Sequence, residues 1–254
     1  MKFPRLSLWW VGIASIVLNL WVIAACSSTP ERKSSSAQEL IEEGIQETKR
    51  HSLAEAKAAF QQVLEDFPDS KERVRALMLL ARTYYSDQEY EEAKFHFQKF
   101  IELYPAHNKV DRAYFYKAMS SYKMMDIASR DQTYTREALE GFKQLMERFP
   151  KSQYFNDAQA KKAECEVSLA QNVFEIGKFY YRTGSYQSAI TRLKNLMMDH
   201  PNQKFLDEAM FLLAESYYHE QNFSEASDSY KQLLKKFPRS PFALQARSRL
   251  KTLR

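Results

Sequence analysis

Two cysteines and five histidines are the side chains of this 254-residue sequence best suited to covalent, proton-transfer or metal chemistry. Cys165 falls on the apolar stripe of a helical segment, with no His or Lys placed to lower its pKa, and reads as a small core residue. His51, His96, His107, His200 and His219 are scattered, with no i, i+4 pair and no carboxylate at metal-ligand spacing. Beyond the amino-terminal segment the four glycines are isolated, which argues against a phosphate-cradling loop or a nucleophile elbow. Glu42-Glu43 and Glu91-Glu92 read as solvated helix faces rather than catalytic carboxylate pairs. No catalytic residue, metal or cofactor is expected, so function must reside in surfaces.

Cys26 belongs to a different context. Lys2 and Arg5 precede a 20-residue, mostly apolar and charge-free run from Leu6 to Ala25, and all three Trp lie within it. Its length would permit a membrane span. The run ends in Ile23-Ala24-Ala25-Cys26, followed by polar Ser27-Ser28-Thr29-Pro30, which resembles a bacterial lipobox with Ile in place of the usual Leu. That resemblance implies a signal peptide over residues 1–25, diacylglyceryl transfer to the Cys26 thiolate and cleavage before it, giving an acyl anchor in the bilayer. Ser27 rather than Asp after the cysteine, by resemblance to enterobacterial lipoprotein sorting, implies the outer membrane, with the folded part on the periplasmic face. Residues 26–37 read as a flexible linker of about 35 Å reach. Without residues 1–25 the chain carries 35 Lys and Arg against 32 Asp and Glu, a balance that gives no reason to expect nucleic acid as a partner.

Five Gly and eight Pro leave little material for hairpins, and 44% hydrophobic content supports a large core. The elements are therefore expected to be helices. Self-similarity supports this: an Ala, an apolar residue four later and a Pro eight after that recur five times, as Ala56-Phe60-Pro68, Ala93-Phe97-Pro105, Ala138-Phe142-Pro150, Ala189-Leu193-Pro201 and Ala226-Tyr230-Pro238. Gly44, Ala81, Gly177 and Ala214 stand twelve residues before the Ala; Ala118 stands twenty before in the third copy. The pattern resembles the tetratricopeptide repeat, in which small residues let two antiparallel helices approach and Pro closes the second. An all-α superhelical solenoid of five helical hairpins follows, with a capping helix opened by Ser240 as N-cap and Pro241 at the first position. Copy one, with Glu47 where Tyr84, Tyr180 and Tyr217 stand elsewhere, is expected to be a frayed terminal repeat.

Two irregularities individualise the solenoid. About eight extra residues, around Asp126 to Thr135, separate the helices of copy three. Pro150 to Gly177 spans 27 residues where the other copies have 13, which predicts a helix of about 40 Å from Asp157 to Thr183, ended by Gly184, with a stripe of Cys165, Leu169, Val173, Ile176 and Tyr180. A helix so much longer than its partner must project or pack on something else. Most of the 15 Tyr read as hairpin packing, a minority as lining of the concave face; spacing does not assign Tyr85 and Tyr116 to either.

Arg130-Asp131-Gln132, Phe149-Pro150-Lys151-Ser152-Gln153-Tyr154, the long helix, Gly177-Lys178-Phe179-Tyr180 and Ala189-Ile190-Thr191-Arg192 together resemble the BamD family, the repeat lipoproteins of the bacterial β-barrel assembly machinery. The likeness covers nearly all of the chain after Cys26. It implies a non-catalytic scaffold whose partners are a β-barrel assembly subunit with periplasmic repeat domains, unfolded outer-membrane proteins and other assembly lipoproteins. Residues 38–108 would form the substrate-binding half, with Tyr84 and Tyr85 on the peptide. Residues 109–254 would dock on the complex through Arg192, Arg130, Asp131 and Gln132. A pilotin-like or Tol-associated lipoprotein is the alternative in the binding class, and a peptidoglycan-acting enzyme the one from another.

Overall fold

The computed structural model describes residues 35–253, which form eleven helices: α1 (Ala37–Lys49), α2 (Leu53–Asp66), α3 (Glu72–Ser86), α4 (Tyr90–Leu103), α5 (Val110–Lys123), α6 (Thr133–Arg148), α7 (Phe155–Arg182), α8 (Tyr186–Asp199), α9 (Leu206–His219), α10 (Phe223–Lys236) and α11 (Ala243–Thr252). They pair as five antiparallel hairpins capped by α11. Each hairpin's first helix touches the first helix of the next, from α1 to α3 through to α7 and α9. The first helices therefore take the tighter inside of the superhelix, and α2, α4, α6, α8 and α10 the outside.

The repeat positions account for the packing. Ala56, Ala93, Ala138, Ala189 and Ala226 are fully buried, as are Phe60, Phe97, Phe142, Leu193 and Tyr230 four residues on. Burial of each large side chain contributes about 1.5–3 kcal/mol. The small residues lie where helices cross: a Cβ on Gly44 would stand 2.5 Å from the Phe60 ring. Before each Pro the last residue leaves the helix with φ between −128° and −134°, as Phe67, Tyr104, Phe149, His200 and Phe237 do, because the Pro ring excludes the helical conformation there.

Copy one is not frayed. Ser36 and Glu39 form a capping box, Ser36 Oγ accepting the Glu39 amide at 3.2 Å and Glu39 Oε2 accepting the Ser36 amide at 2.9 Å. Leu40 and Ile41 are buried, so the missing tyrosine costs the hairpin little. The expected linker accordingly ends before its last two residues, with Ser36 as cap and Ala37 already helical. At the other terminus α11 begins at Ala243 rather than Pro241. Ser240 is engaged elsewhere: its hydroxyl donates to Asp207 at 2.7 Å and accepts from the Phe242 amide at 3.1 Å. Ser152 makes the same pair of bonds to Asp111 and the Tyr154 amide, at 2.6 and 3.2 Å. In these two copies the serine two residues after the repeat Pro ties the connection to the first helix of the hairpin it closes, whereas Ser70, at the same position after Pro68, makes no such bond.

Helices α1, α3, α7 and α9 end on a left-handed residue five positions before the repeat Ala: His51, Gln88, Gly184 and Gln221, with φ between 61° and 76°. Ser52, Glu89, Ser185 and Asn222 then donate to the carbonyls of Glu47, Tyr84, Tyr180 and Tyr217 at 2.9–3.0 Å. This is a Schellman closure, and only copy four has the glycine it favours. Gln221→Gly is expected to raise stability by about 0.5–1 kcal/mol by relieving the left-handed strain at an exposed site. Thermal unfolding of wild type and variant tests this, and an unchanged or lowered midpoint would contradict it.

The two irregularities prove to be one unit. The long helix runs from Phe155 to Arg182, two residues earlier than expected at its start. Its first half shares a core with α5 and α6 through Ala158 and Cys165, and its second half packs on α8 and α9 through Ala170 and Phe174. The buried face is thus Ala158, Cys165, Ala170, Phe174 and Gly177, while Leu169, Val173 and Ile176 of the expected stripe are only half-buried. One core is continuous from Leu77 to Cys165, across residue 108, and the change of core falls within α7 between Cys165 and Ala170.

Candidate functional site

Tyr84 and Tyr85 are neighbours on α3, about 100° apart around the helix, and they serve different faces. Tyr85 turns to the inside, where its ring meets Tyr90 at 5.4 Å and Tyr116 of α5 at 5.1 Å. Tyr116 continues to Tyr154 at the start of α7, at 6.2 Å. The result is a half-buried row of phenols crossing the first helices of copies two to four. Burial, helped by Tyr90 and Tyr116, pushes the Tyr85 hydroxyl up to about 12, so Tyr85 is a neutral donor at neutral pH, and the row adds apolar ring faces beside it.

Tyr84 does not join that row. It stacks on His96 of α4 at 5.1 Å and carries Lys57 of α2 over its ring at 5.1 Å. Lys57 in turn bridges Asp87 and Glu89 in the turn that follows α3. Burial of His96 lowers its pKa, favouring the neutral ring in this stack. Tyr84 and Tyr85 therefore do not share one face: Tyr85 belongs to the inner row, and Tyr84 is a joint between hairpins one and two. Spacing alone missed Tyr116 and Tyr154 as companions of Tyr85.

Arg130, Asp131 and Gln132 lie in the connection between α5 and α6. Gln132 is only 2% exposed, and its amide is fully employed. Nε2 donates to the carbonyls of Ile127 and Arg130 at 3.0 and 3.1 Å, and Oε1 accepts from Thr135 at 2.8 Å and Ser168 of α7 at 3.3 Å. Asn172 adds a bond to the carbonyl of Ala128 at 2.6 Å. A side chain so enclosed cannot meet a partner; Gln132 is the pin that holds the insertion on the long helix. Asp131 accepts the Thr133 amide at 2.8 Å and so starts α6, and that hydrogen bonding keeps its carboxyl below the usual range. Arg130 is exposed and pairs with Asp126 at 3.0 Å, while Ile127 beside it is 62% exposed.

Arg192 stands on the outer helix α8, exposed, with no hydrogen bond or ion pair among the described residues. Its root is fixed: a Cβ on Gly177 would lie 3.6 Å from Arg192 Cβ, so the close crossing of α7 and α8 sets where the guanidinium emerges. Cys165 is fully buried, its thiol directed at Met125 Sδ at 3.8 Å and pushed up to about 11 by burial, which leaves it unreactive at neutral pH. Cys26 lies outside the described residues.

Two features had no counterpart in the reading of the sequence. An outer groove of about 510 Å³ opens between α4 and α6 over α5, lined by Lys94, Phe95, Lys117, Glu137 and Gly141 among others. A Cβ on Gly141 would meet Ala118 Cβ at 2.8 Å, so α6 lies close on α5 at its floor. At the far end Glu215 of α9 is 3% exposed. It accepts the Tyr230 hydroxyl and a fork from Arg249 of α11, with Nε at 2.9 Å and Nη2 at 2.8 Å, while the guanidinium lies over the Tyr218 ring at 4.6 Å.

Comparison with known proteins supplies the context. A family profile described as YfiO, outer membrane lipoprotein, matches residues 33–229. A protein named outer membrane protein assembly factor BamD from Neisseria gonorrhoeae is 26% identical over 221 residues, covering 83% of each chain. One of the same name from Caulobacter vibrioides is 27% identical over 212 residues, covering 82% of this chain and 69% of the relative. Among solved structures, a TPR repeats protein from Bacteroides fragilis is similar at a TM-score of 0.47 and 14% identity, covering 87% of this chain and 100% of its own.

Proposed function

The chain belongs to the YfiO family of outer membrane lipoproteins, and from that premise we propose that it is a non-catalytic scaffold for assembly of β-barrel proteins into the outer membrane. Its relatives are named as assembly factors for outer membrane proteins, which supports this class of role over a secretin pilotin, a Tol-associated lipoprotein or a peptidoglycan enzyme. An acyl anchor on Cys26 would hold it on the periplasmic face, and Arg192 and Arg130 are the exposed cations offered to a barrel-forming subunit with periplasmic repeat domains and to other assembly lipoproteins.

The observation that carries the substrate half of this reading is the inner phenol row of Tyr85, Tyr116 and Tyr154. An extended, alternately apolar segment of an unfolded barrel protein needs ring faces for its side chains and hydroxyls for its unpaired backbone, and tyrosine supplies both with few rotatable bonds. A photo-crosslinker placed at Tyr85 is expected to capture nascent barrel protein, whereas one at Tyr84 should capture much less because that ring is held between hairpins. Crosslinks confined to residues 190–254 would overturn this assignment of the inner face.

A further inference from the structure

The near-balance of charge over the chain after residue 25 conceals a polarity along it. Residues 35–108 carry nine Lys and Arg against fourteen Asp and Glu, whereas residues 231–254 carry eight Lys and Arg and no acid at all. Within that last stretch Arg249 is neutralised by Glu215 and Lys231 by Asp228 at 3.1 Å. Lys235, Arg239, Arg247 and Lys251 are exposed and meet no carboxylate at ion-pair distance among the described residues. Lys236 lies over the Phe237 ring at 5.6 Å, its charge likewise unpaired.

Apolar surface is interleaved with these cations. Leu244 on the outer face of α11 is 76% exposed, in helical register with Arg247, Ser248 and Lys251. Lys235 and Lys236 stand at an apolar groove of about 450 Å³ whose other lining includes Met197, Leu206 and Met210. Cations beside exposed aliphatic side chains are what an anionic lipid interface selects, with headgroup phosphates outside and acyl chains beneath.

We propose that the end of the solenoid formed by α10 and α11 docks on an anionic phospholipid surface, giving the chain a second membrane contact remote from its amino terminus. The acidic first hairpins gain nothing from the same surface, so the basic end is the part of the solenoid that settles on it, while the first repeats stay tethered through their linker. This inference uses the charge and exposure of the last hairpin and stands independently of the substrate-binding reading above.

The test uses the full-length lipidated chain in vesicles of phosphatidylcholine alone or with roughly one-third phosphatidylglycerol. A donor fluorophore at Gln245→Cys, on an exposed position with Cys165 buried, transfers energy to an acceptor lipid when the end lies on the bilayer. The anionic vesicles should shift the ratio of membrane-held to free ends by roughly tenfold or more, with reversal at high salt. Lys235→Glu/Lys236→Glu/Arg239→Glu, all at exposed positions, should abolish the shift, and Leu244→Asp should weaken it. Equal transfer in both lipids would overturn the proposal. So would a shift that the triple variant retains, or contact that appears only when the barrel-forming subunit is added, which would assign the basic end to an acidic protein surface.

Discussion

Replacing Arg249 by methionine is expected to destabilise the last hairpin by about 3 kcal/mol and to release α11. Glu215 is buried and satisfied by two donors, the Arg249 fork and the Tyr230 hydroxyl. Breaking a buried pair from one side costs about 3–5 kcal/mol because the remaining charge stays desolvated. The lower end applies, since Arg249 is 38% exposed and water can partly replace it. Methionine keeps an aliphatic stem of similar length and gives up the guanidinium's place over the Tyr218 ring, which adds to the loss. Beyond this pair α11 has two buried residues, Ala243 and Ala246, with Leu250 and the flanking Phe242 and Leu253 packed half-buried on the same core. Because solenoid repeats open locally, hydrogen exchange of α11 and α10 amides is the sensitive readout. The double variant Glu215→Gln/Arg249→Met should recover most of the loss. Wild-type protection of α11 in the single variant would contradict the account.

The second large effect is expected in binding rather than folding. Arg192→Glu should weaken association with the barrel-forming subunit by about 2–5 kcal/mol if its guanidinium holds one carboxylate across a desolvated contact. The chain itself should fold normally, since Arg192 touches no polar partner within it. Its root is positioned by the α7–α8 crossing at Gly177, so less freedom is lost on docking than for a free surface arginine. Lys194, exposed two residues on, is the matched control and should matter less on charge reversal. Retention of the subunit by Arg192→Glu equal to wild type would return this arginine to an ordinary solvated role.

What the sequence made legible was whatever depends on one hairpin at a time. The Ala, the large apolar residue four later and the Pro eight beyond have the same steric task in every copy, and all five sets fall as expected. What escaped depends on how hairpins lean on one another. Family resemblance and the aromatic density of that helix put Tyr84 and Tyr85 on one peptide, yet a rotation of about 100° sends one to a joint and the other to the inner row. Gln132 reads as a loop residue, and only the register of α7 against the insertion buries it. Glu215 and Arg249 are 34 residues apart, and nothing in their local pattern signals that a buried carboxylate awaits a guanidinium. Tyr230 carried a trace of this, being the one phenol at a position filled by Phe60, Phe97, Phe142 and Leu193 in the other copies. The basic end was visible in the residues themselves, and summing charge over the whole chain hid it.

The central claim, that this chain serves the assembly of outer-membrane β-barrels, is tested most directly by depleting it and quantifying β-barrel proteins in the outer membrane against lipoproteins of the same membrane. A selective, several-fold fall in the barrels, restored by the wild-type chain, is the predicted result. Unchanged barrel levels after depletion would contradict it.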